Sequence, residues 1–173
     1  MQGHPLELPV KLACHLGLRR SEVLGLRWRD VDLQGSLISV RRVRTTVGCR
    51  VVEKPPKTPD SCRTLSIGVL DGLLELLRDL QAVRLRDDVP CSPDDYLVLD
   101  WEGKPWHPNV MSTTLNSFVS ARCLPPITFH GLRHPNVKPK TQILRSFFED
   151  HFAMKAACHY SIQKSIIFQT IST

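Results

Sequence analysis

The side chains with the most chemical scope in this chain are arginines, histidines and lysines gathered in three short stretches. The first is Gly17-Leu18-Arg19-Arg20-Ser21-Glu22-Val23-Leu24. The second is Lys54-Pro55-Pro56-Lys57-Thr58, followed by Ser61-Cys62-Arg63-Thr64. The third is Ile127-Thr128-Phe129-His130-Gly131-Leu132-Arg133-His134. A local excess of arginine points to a polyanionic partner, nucleic acid first among them. The excess is segregated: residues 1–68 hold 12 basic and 6 acidic side chains, whereas residues 69–173 hold 11 of each, so the whole net charge of +6 lies in the first part. By charge alone, a solvated basic face weighs as much as a nucleic-acid site. Each stretch taken singly is also ordinary: an arginine after a Gly-Leu turn is commonly a helix-end surface residue, and a His-x-x-Arg pair is commonly two polar neighbours one turn apart.

The elements that must position these residues can be read from periodicity and punctuation. Leu8, Leu12, Ala13 and Leu16 recur at helical spacing, so residues 6–16 form a helix that Gly17 closes. Ser21 caps a second short helix carrying Val23, Leu24 and Leu26. Residues 37–44, with Ile38 and Val40 alternating with polar neighbours, read as a strand. Residues 51–53 and 63–67 read as two more strands, separated by the proline-rich loop Pro55 to Pro59, and Val47-Gly48 reads as a turn. Leu70, Leu73, Leu74, Leu77 and Leu80 make residues 69–86 an amphipathic helix whose polar side includes Arg78, Asp79, Arg84 and Arg86. Tyr96 to Leu99 form a short buried segment. Pro108 starts a helix to about Arg122 with Val110, Met111, Leu115, Phe118 and Val119 inward, ended by Pro125-Pro126. The fold class expected is α+β: a mainly helical domain around a small antiparallel three-stranded sheet.

A chain of 173 residues, 42% apolar and 23% charged, suits one globular domain with a core of its own. It contains no run of roughly 18–20 apolar residues, and its proline-broken start does not resemble a signal peptide. Its six cysteines are Cys14, Cys49, Cys62, Cys91, Cys123 and Cys158. They are scattered, with neither C-x-x-C nor close Cys/His spacing, and are expected to be reduced thiols of a cytoplasmic protein, with no metal site and no membrane association.

The order of the three stretches says more than any one of them. Gly-Leu-Arg-x-x-Glu, a basic hairpin with Lys-Thr, and His-x-x-Arg-His occur here in the sequence of the catalytic domain of tyrosine recombinases, the phage-integrase type. The chain resembles that family over about residues 5–134, including Leu26 to Leu33 (LRWRDVDL) and the stretch from Tyr96 to Pro105. The resemblance implies an integrase-type catalytic domain of bacterial or phage origin. It acts on double-stranded DNA together with other recombinase protomers, as a homo- or hetero-oligomer, and without a cofactor.

The resemblance also implies a mechanism. A tyrosine attacks a DNA phosphate, forms a 3′-phosphotyrosine and releases a 5′-hydroxyl, so the phosphodiester energy is stored covalently. Two arginines hold the phosphate oxygens as charge develops on them. By the match these are Arg19 and Arg133, with Lys57 the candidate general acid and His130 the candidate proton-transfer partner. Lys54 competes with Lys57, which is favoured because Lys-Thr matches. Glu22 is placed to orient Arg19, and His134 to support Arg133 from a different face. Trp28 is a packing residue beside the first arginine. Arg20, Arg41, Arg42, Arg44, Arg50, Lys54 and Arg63 are the candidate DNA-backbone contacts.

Three departures from the family pattern shape the expectations. The motif begins at residue 17, without the N-terminal DNA-binding domain of a clamp. Pro135 follows His134 directly, which disfavours a continuing helix. After it, residues 135–173 read as a divergent segment distinct from the domain at 1–134, and a frameshifted or decayed terminus is the preferred explanation. The nucleophile is missing: Cys158-His159-Tyr160 echoes the family's late histidine at His159, but Gln169 stands where the tyrosine is expected. The only tyrosines are Tyr96 and Tyr160, and Tyr160 is a weak candidate. The chain is therefore expected to be inactive on its own. Two competing readings are a non-enzymatic DNA-binding module, with residues 16–32 as a helix-turn-helix, and a decayed remnant that does not fold cooperatively.

Overall fold

The computed structural model describes residues 4–56, 61–68, 72–89 and 91–133. Helix α1 (Glu7–Leu16) places Pro9 in its first turn, where the missing N–H has no helical partner to lose. Gly17 ends it in the left-handed conformation, φ 62°, which a residue without Cβ adopts freely. Helix α2 (Arg20–Gly25) begins one residue after Arg19, not at a Ser21 cap: Arg19 is the extended residue before the first turn, and its N–H donates to Glu22 Oε2 at 2.8 Å. Four residues of α2, Glu22 to Gly25, are buried. The helix-turn-helix alternative finds no exposed recognition helix here, since none of the six α2 residues is fully exposed.

The stretch read as one strand over 37–44 is two. Strand β2 (Leu37–Val40) lies between β1 (Val31–Asp32) and β5 (Arg63–Ser66) in an antiparallel three-stranded sheet, with Val40 opposite Arg63 and Ile38 opposite Leu65. The chain leaves this sheet at Arg41-Arg42. Strands β3 (Val43–Val47) and β4 (Arg50–Lys54) then pair as a separate hairpin around Gly48-Cys49. The physical reason lies in α2. A Cβ on Gly25 would stand 2.7 Å from the Arg42 carbonyl oxygen, so the chain at Arg42 passes directly over that helix. The β-branched pattern runs on through the break and does not register it. The three-stranded sheet is present, with residues 31–32 taking the place expected for 51–53.

Helix α3 (Leu73–Arg86) buries Leu73, Leu74 and Leu77. Arg84, read as part of its polar side, is buried as well: its guanidinium donates to the carbonyls of Tyr96 at 2.9 Å and Leu97 at 2.7 Å and lies 5.4 Å from the Trp28 ring. Burial pushes its pKa below the usual arginine value, with Cys91 and Asp95 acting the other way. Trp28 thus packs as expected of a core residue, and its recorded cation contact is Arg84. Helix α4 (Pro108–Ser120) starts after His107, whose Nδ1 accepts the Asn109 N–H at 3.3 Å, and buries Met111, Leu115, Phe118 and Val119. Val110, expected inward, is half exposed at 51%.

The buried side chains of α1, α2, β2, α3, residues 97–98 and α4 form one continuous apolar core. None of Cys14, Cys49, Cys62, Cys91 and Cys123 forms a disulfide among the described residues. Among the described residues, no helix is long and apolar enough to cross a membrane.

Candidate functional site

The first and third motif stretches meet at the C-terminal end of α1. A 3₁₀ turn over Gly131–Arg133 is seated by buried Ile127, Phe129 and Leu132, and Thr128 Oγ1 accepts the Gly131 N–H at 3.1 Å. From this turn Arg133 Nε donates to the Gly17 carbonyl at 2.6 Å, across 116 residues of sequence. That carbonyl belongs to the left-handed cap of α1, two residues before Arg19. Arg133 N–H donates to the His130 carbonyl at 3.3 Å, closing an i to i+3 turn in which residues three apart fall on one side. The His130 side chain is exposed.

Glu22 is the centre of the cluster. It is 1% exposed, and both of its oxygens are bound. Arg19 Nη1 donates to Oε1 at 2.9 Å, while Arg63 Nη1 and Nη2 donate to Oε1 and Oε2 at 3.3 and 3.0 Å. With the Arg19 N–H, the carboxylate accepts four hydrogen bonds. Burial alone would raise its pKa. The Arg63 hydrogen bonds, the Arg19 N–H and the Arg19 guanidinium together outweigh burial and hold the carboxyl below its usual range.

Arg133 stands in the same field. Burial lowers its pKa, the positive charges of Arg19 and Arg63 lower it further, and Glu22 raises it. Two guanidiniums, Arg19 and Arg63, bond the Glu22 carboxylate and a third, Arg133, lies within its field, a local formal charge of +2 (three positive, one negative). Arg19 makes its one side-chain bond through Nη1 and Arg133 its one through Nε; their other donors make no hydrogen bond among the described residues. The Arg19 side chain is 55% exposed. Two adjacent forks with uncommitted donors and mutual repulsion form a site that an anion relieves.

The other expected site residues divide. Arg63, read as a DNA contact, faces inward onto Glu22; nothing in its local spacing announces this, because its partner lies 41 residues away. Arg44 also turns inward: it donates to the Trp106 carbonyl and lies 5.1 Å from the Tyr96 ring, and burial lowers its pKa against the opposing effect of Glu53. Arg20 is half-buried and donates to Ser112 Oγ at 2.5 Å. Arg41, Arg50 and Lys54 are exposed and Arg42 is half-buried. Tyr96 is packed by two guanidiniums, Arg27 at 4.9 Å and Arg44 at 5.1 Å. Lys57, His134, His159, Tyr160 and Gln169 lie outside the described residues.

Comparison with known proteins bears on the family and the fold. The phage integrase family pattern matches residues 2–170, running on through the segment that the sequence reading sets apart. The ICEBs1 integrase of Bacillus subtilis (strain 168) is 29% identical over 153 residues, covering 87% of this chain and 40% of that protein. A tyrosine recombinase XerC-like protein of Caldanaerobacter subterraneus subsp. tengcongensis is 34% identical over 88 residues, covering 46% of this chain and 22% of that protein. The Tn1549 transposon integrase, solved in complex with transposon right end DNA, shares the fold. It has a TM-score of 0.59 at 20% identity and covers 73% of this chain and 43% of that one. The chain thus spans 40% or less of the length of these two curated relatives. With the α+β architecture and the family pattern extending over nearly its whole length, the chain belongs to the phage integrase family, the tyrosine recombinases.

Proposed function

We propose that this chain supplies the phosphate-binding pocket of a site-specific DNA recombinase that acts on double-stranded DNA. The observation that carries the reading is the pair of guanidiniums, Arg19 and Arg133, each anchored through one nitrogen, with the other donors unbonded among the described residues, near the buried Glu22 carboxylate. The Tn1549 integrase neighbour, solved with DNA, supports the same direction. In the reaction, a tyrosine oxygen bonds to phosphorus in line with the P–O5′ bond, which breaks. The product is a 3′-phosphotyrosine and a free 5′-hydroxyl. Arg19 and Arg133 stabilise the charge on the non-bridging oxygens of the five-coordinate transition state. Lys57 gives the proton to the leaving 5′-oxygen, and His130 moves the proton associated with the attacking hydroxyl.

The nucleophile comes from outside residues 4–133. Tyr96, the one tyrosine in that range, has its ring packed by Arg27 and Arg44, and a carboxamide at Gln169 offers no phenolate. The polypeptide of this sequence therefore binds DNA without cleaving it, and partner protomers bearing a tyrosine complete the reaction. A nicked suicide DNA substrate tests this. The expected result is no covalent adduct with the chain alone. An adduct formed by the parent and lost in Tyr160→Phe would make Tyr160 the nucleophile and overturn the proposal of inactivity.

A further inference from the structure

Arg63 differs from the other described basic residues of the first 68 in binding one buried carboxylate through two nitrogens. It lies on β5, opposite Val40 of β2, in the three-stranded sheet, yet its guanidinium reaches α2. There it spans both oxygens of Glu22 at 3.0 and 3.3 Å. Glu22 is buried, and the same two oxygens receive the backbone and side chain of Arg19. The Arg63 side chain is 28% exposed, against 55% for Arg19. A guanidinium that binds a carboxylate through two nitrogens fixes its plane as well as neutralising it. The plane of Glu22 in turn sets the direction in which Arg19 Nη1 is anchored.

We infer that Arg63 is a positioning residue: by clamping Glu22 in a bidentate ion pair, it sets the orientation of the Arg19 guanidinium. This rests on the proposed phosphate role of Arg19 for its consequence, but not for its geometry. Without Arg63, Glu22 retains one cation where it had two. Its carboxylate is then held by the Arg19 N–H and Nη1 alone, and Arg19 keeps its charge on a less defined anchor. The alternative role, that Arg63 touches DNA phosphate independently, predicts a different energetic pattern. Residues acting through one another show non-additive effects, whereas independent contacts multiply.

The experiment has two arms on the full chain. In the first, side-chain NMR of 15N-arginine-labelled protein without DNA follows the Arg19 Nε and Nη resonances in the parent, Arg63→Ala, Arg63→Gln and Arg63→Lys. The expected result is a shifted or averaged Arg19 signal in Arg63→Ala and Arg63→Gln and partial restoration in Arg63→Lys, which returns the charge without the fork. The backbone spectrum is expected to stay dispersed in at least the Gln and Lys variants. Arg19 signals that do not move in any folded variant overturn the positioning role. In the second arm, affinity for a duplex oligonucleotide is measured in a cycle of Arg19→Ala, Arg63→Gln and the double variant. Each single change is expected to weaken binding about tenfold, the size of one charge-assisted contact, and the double to be no weaker than about tenfold. A loss of about a hundredfold in the double would make Arg63 an independent DNA contact and overturn the inference. Arg19 signals that respond to Arg63 substitutions while Arg19→Ala leaves DNA affinity unchanged would sink the phosphate-pocket reading and leave the positioning relationship standing.

Discussion

Arg133 Nε donates to the carbonyl of Gly17 at 2.6 Å, and this single bond places the last motif of the chain against the first. Gly17 presents that carbonyl from a left-handed cap at φ 62°, and Arg19 follows two residues later. The bond engages Nε and leaves the two terminal nitrogens of Arg133 uncommitted among the described residues, on the guanidinium that feels Arg19, Glu22 and Arg63. Substituting Arg133→Lys keeps the charge but cannot both reach Gly17 through an Nε and present a fork. Arg133→Lys is therefore expected to bind duplex DNA about tenfold more weakly than the parent, with melting lowered by no more than Arg133→Ala lowers it. Anisotropy titrations and thermal melts check both.

The Glu22 carboxyl carries a lowered pKa in the folded protein. Its contribution to stability is therefore fully present above the unfolded value of about 4.3 and is lost as pH falls through the lower folded value. Urea melts from pH 7 to pH 3 should show the parent losing stability below about pH 4. Glu22→Gln should start less stable by about 1 kcal/mol, a modest figure because Arg19 and Arg63 both keep contact with water, and should lose less over the same acid range. Parallel curves for the two proteins would contradict the assignment.

Gly25 meets the Arg42 carbonyl oxygen at 2.7 Å from an added Cβ. The three atoms it would meet, the Arg42 carbonyl oxygen and carbon and the Val43 Cα, all belong to backbone, so none swings aside. Gly25→Ala is expected to cost about 1–3 kcal/mol by displacing the start of β3 from α2, read as a lower denaturant midpoint. A midpoint within error of the parent would show that the hairpin moves freely.

The basic residues around β3 and β4 should separate into two groups. Arg41 and Arg50 are exposed, so their replacement by Ala should weaken non-specific DNA binding and reduce its salt slope. That binding itself is expected near 10⁻⁴–10⁻⁶ M, roughly, at physiological salt. Arg44 reaches the Trp106 carbonyl and the Tyr96 ring, so Arg44→Ala should lower stability by about 1–3 kcal/mol and leave the salt slope unchanged. Affinity that does not fall with added salt would argue against phosphate contacts altogether.

Much of the frame was legible from the residues alone. The helices at 7–16, 73–86 and 108–120 follow from apolar spacing, and Gly17 from its place after Leu16. The order of the motifs by itself singles out Arg19, Glu22 and Arg133. What escaped are the partners made by long-range contact. Arg63 and Arg84 look like any other basic side chain on a strand or a helix face, because the carboxylate and carbonyls that receive them are far away in sequence or on another segment. The break at Arg41-Arg42 escaped because β propensity continues through it; the close approach of Gly25, on a different element, is what turns the chain.

Whether Arg19 and Arg133 together hold a DNA phosphate is read from side-chain NMR of 15N-arginine-labelled protein titrated with a short duplex. The Arg19 and Arg133 side-chain resonances are expected to shift with a common midpoint, while buried Arg84 stays in place. Saturation with DNA that moves Arg41 and Arg50 but leaves Arg19 and Arg133 unperturbed would contradict it.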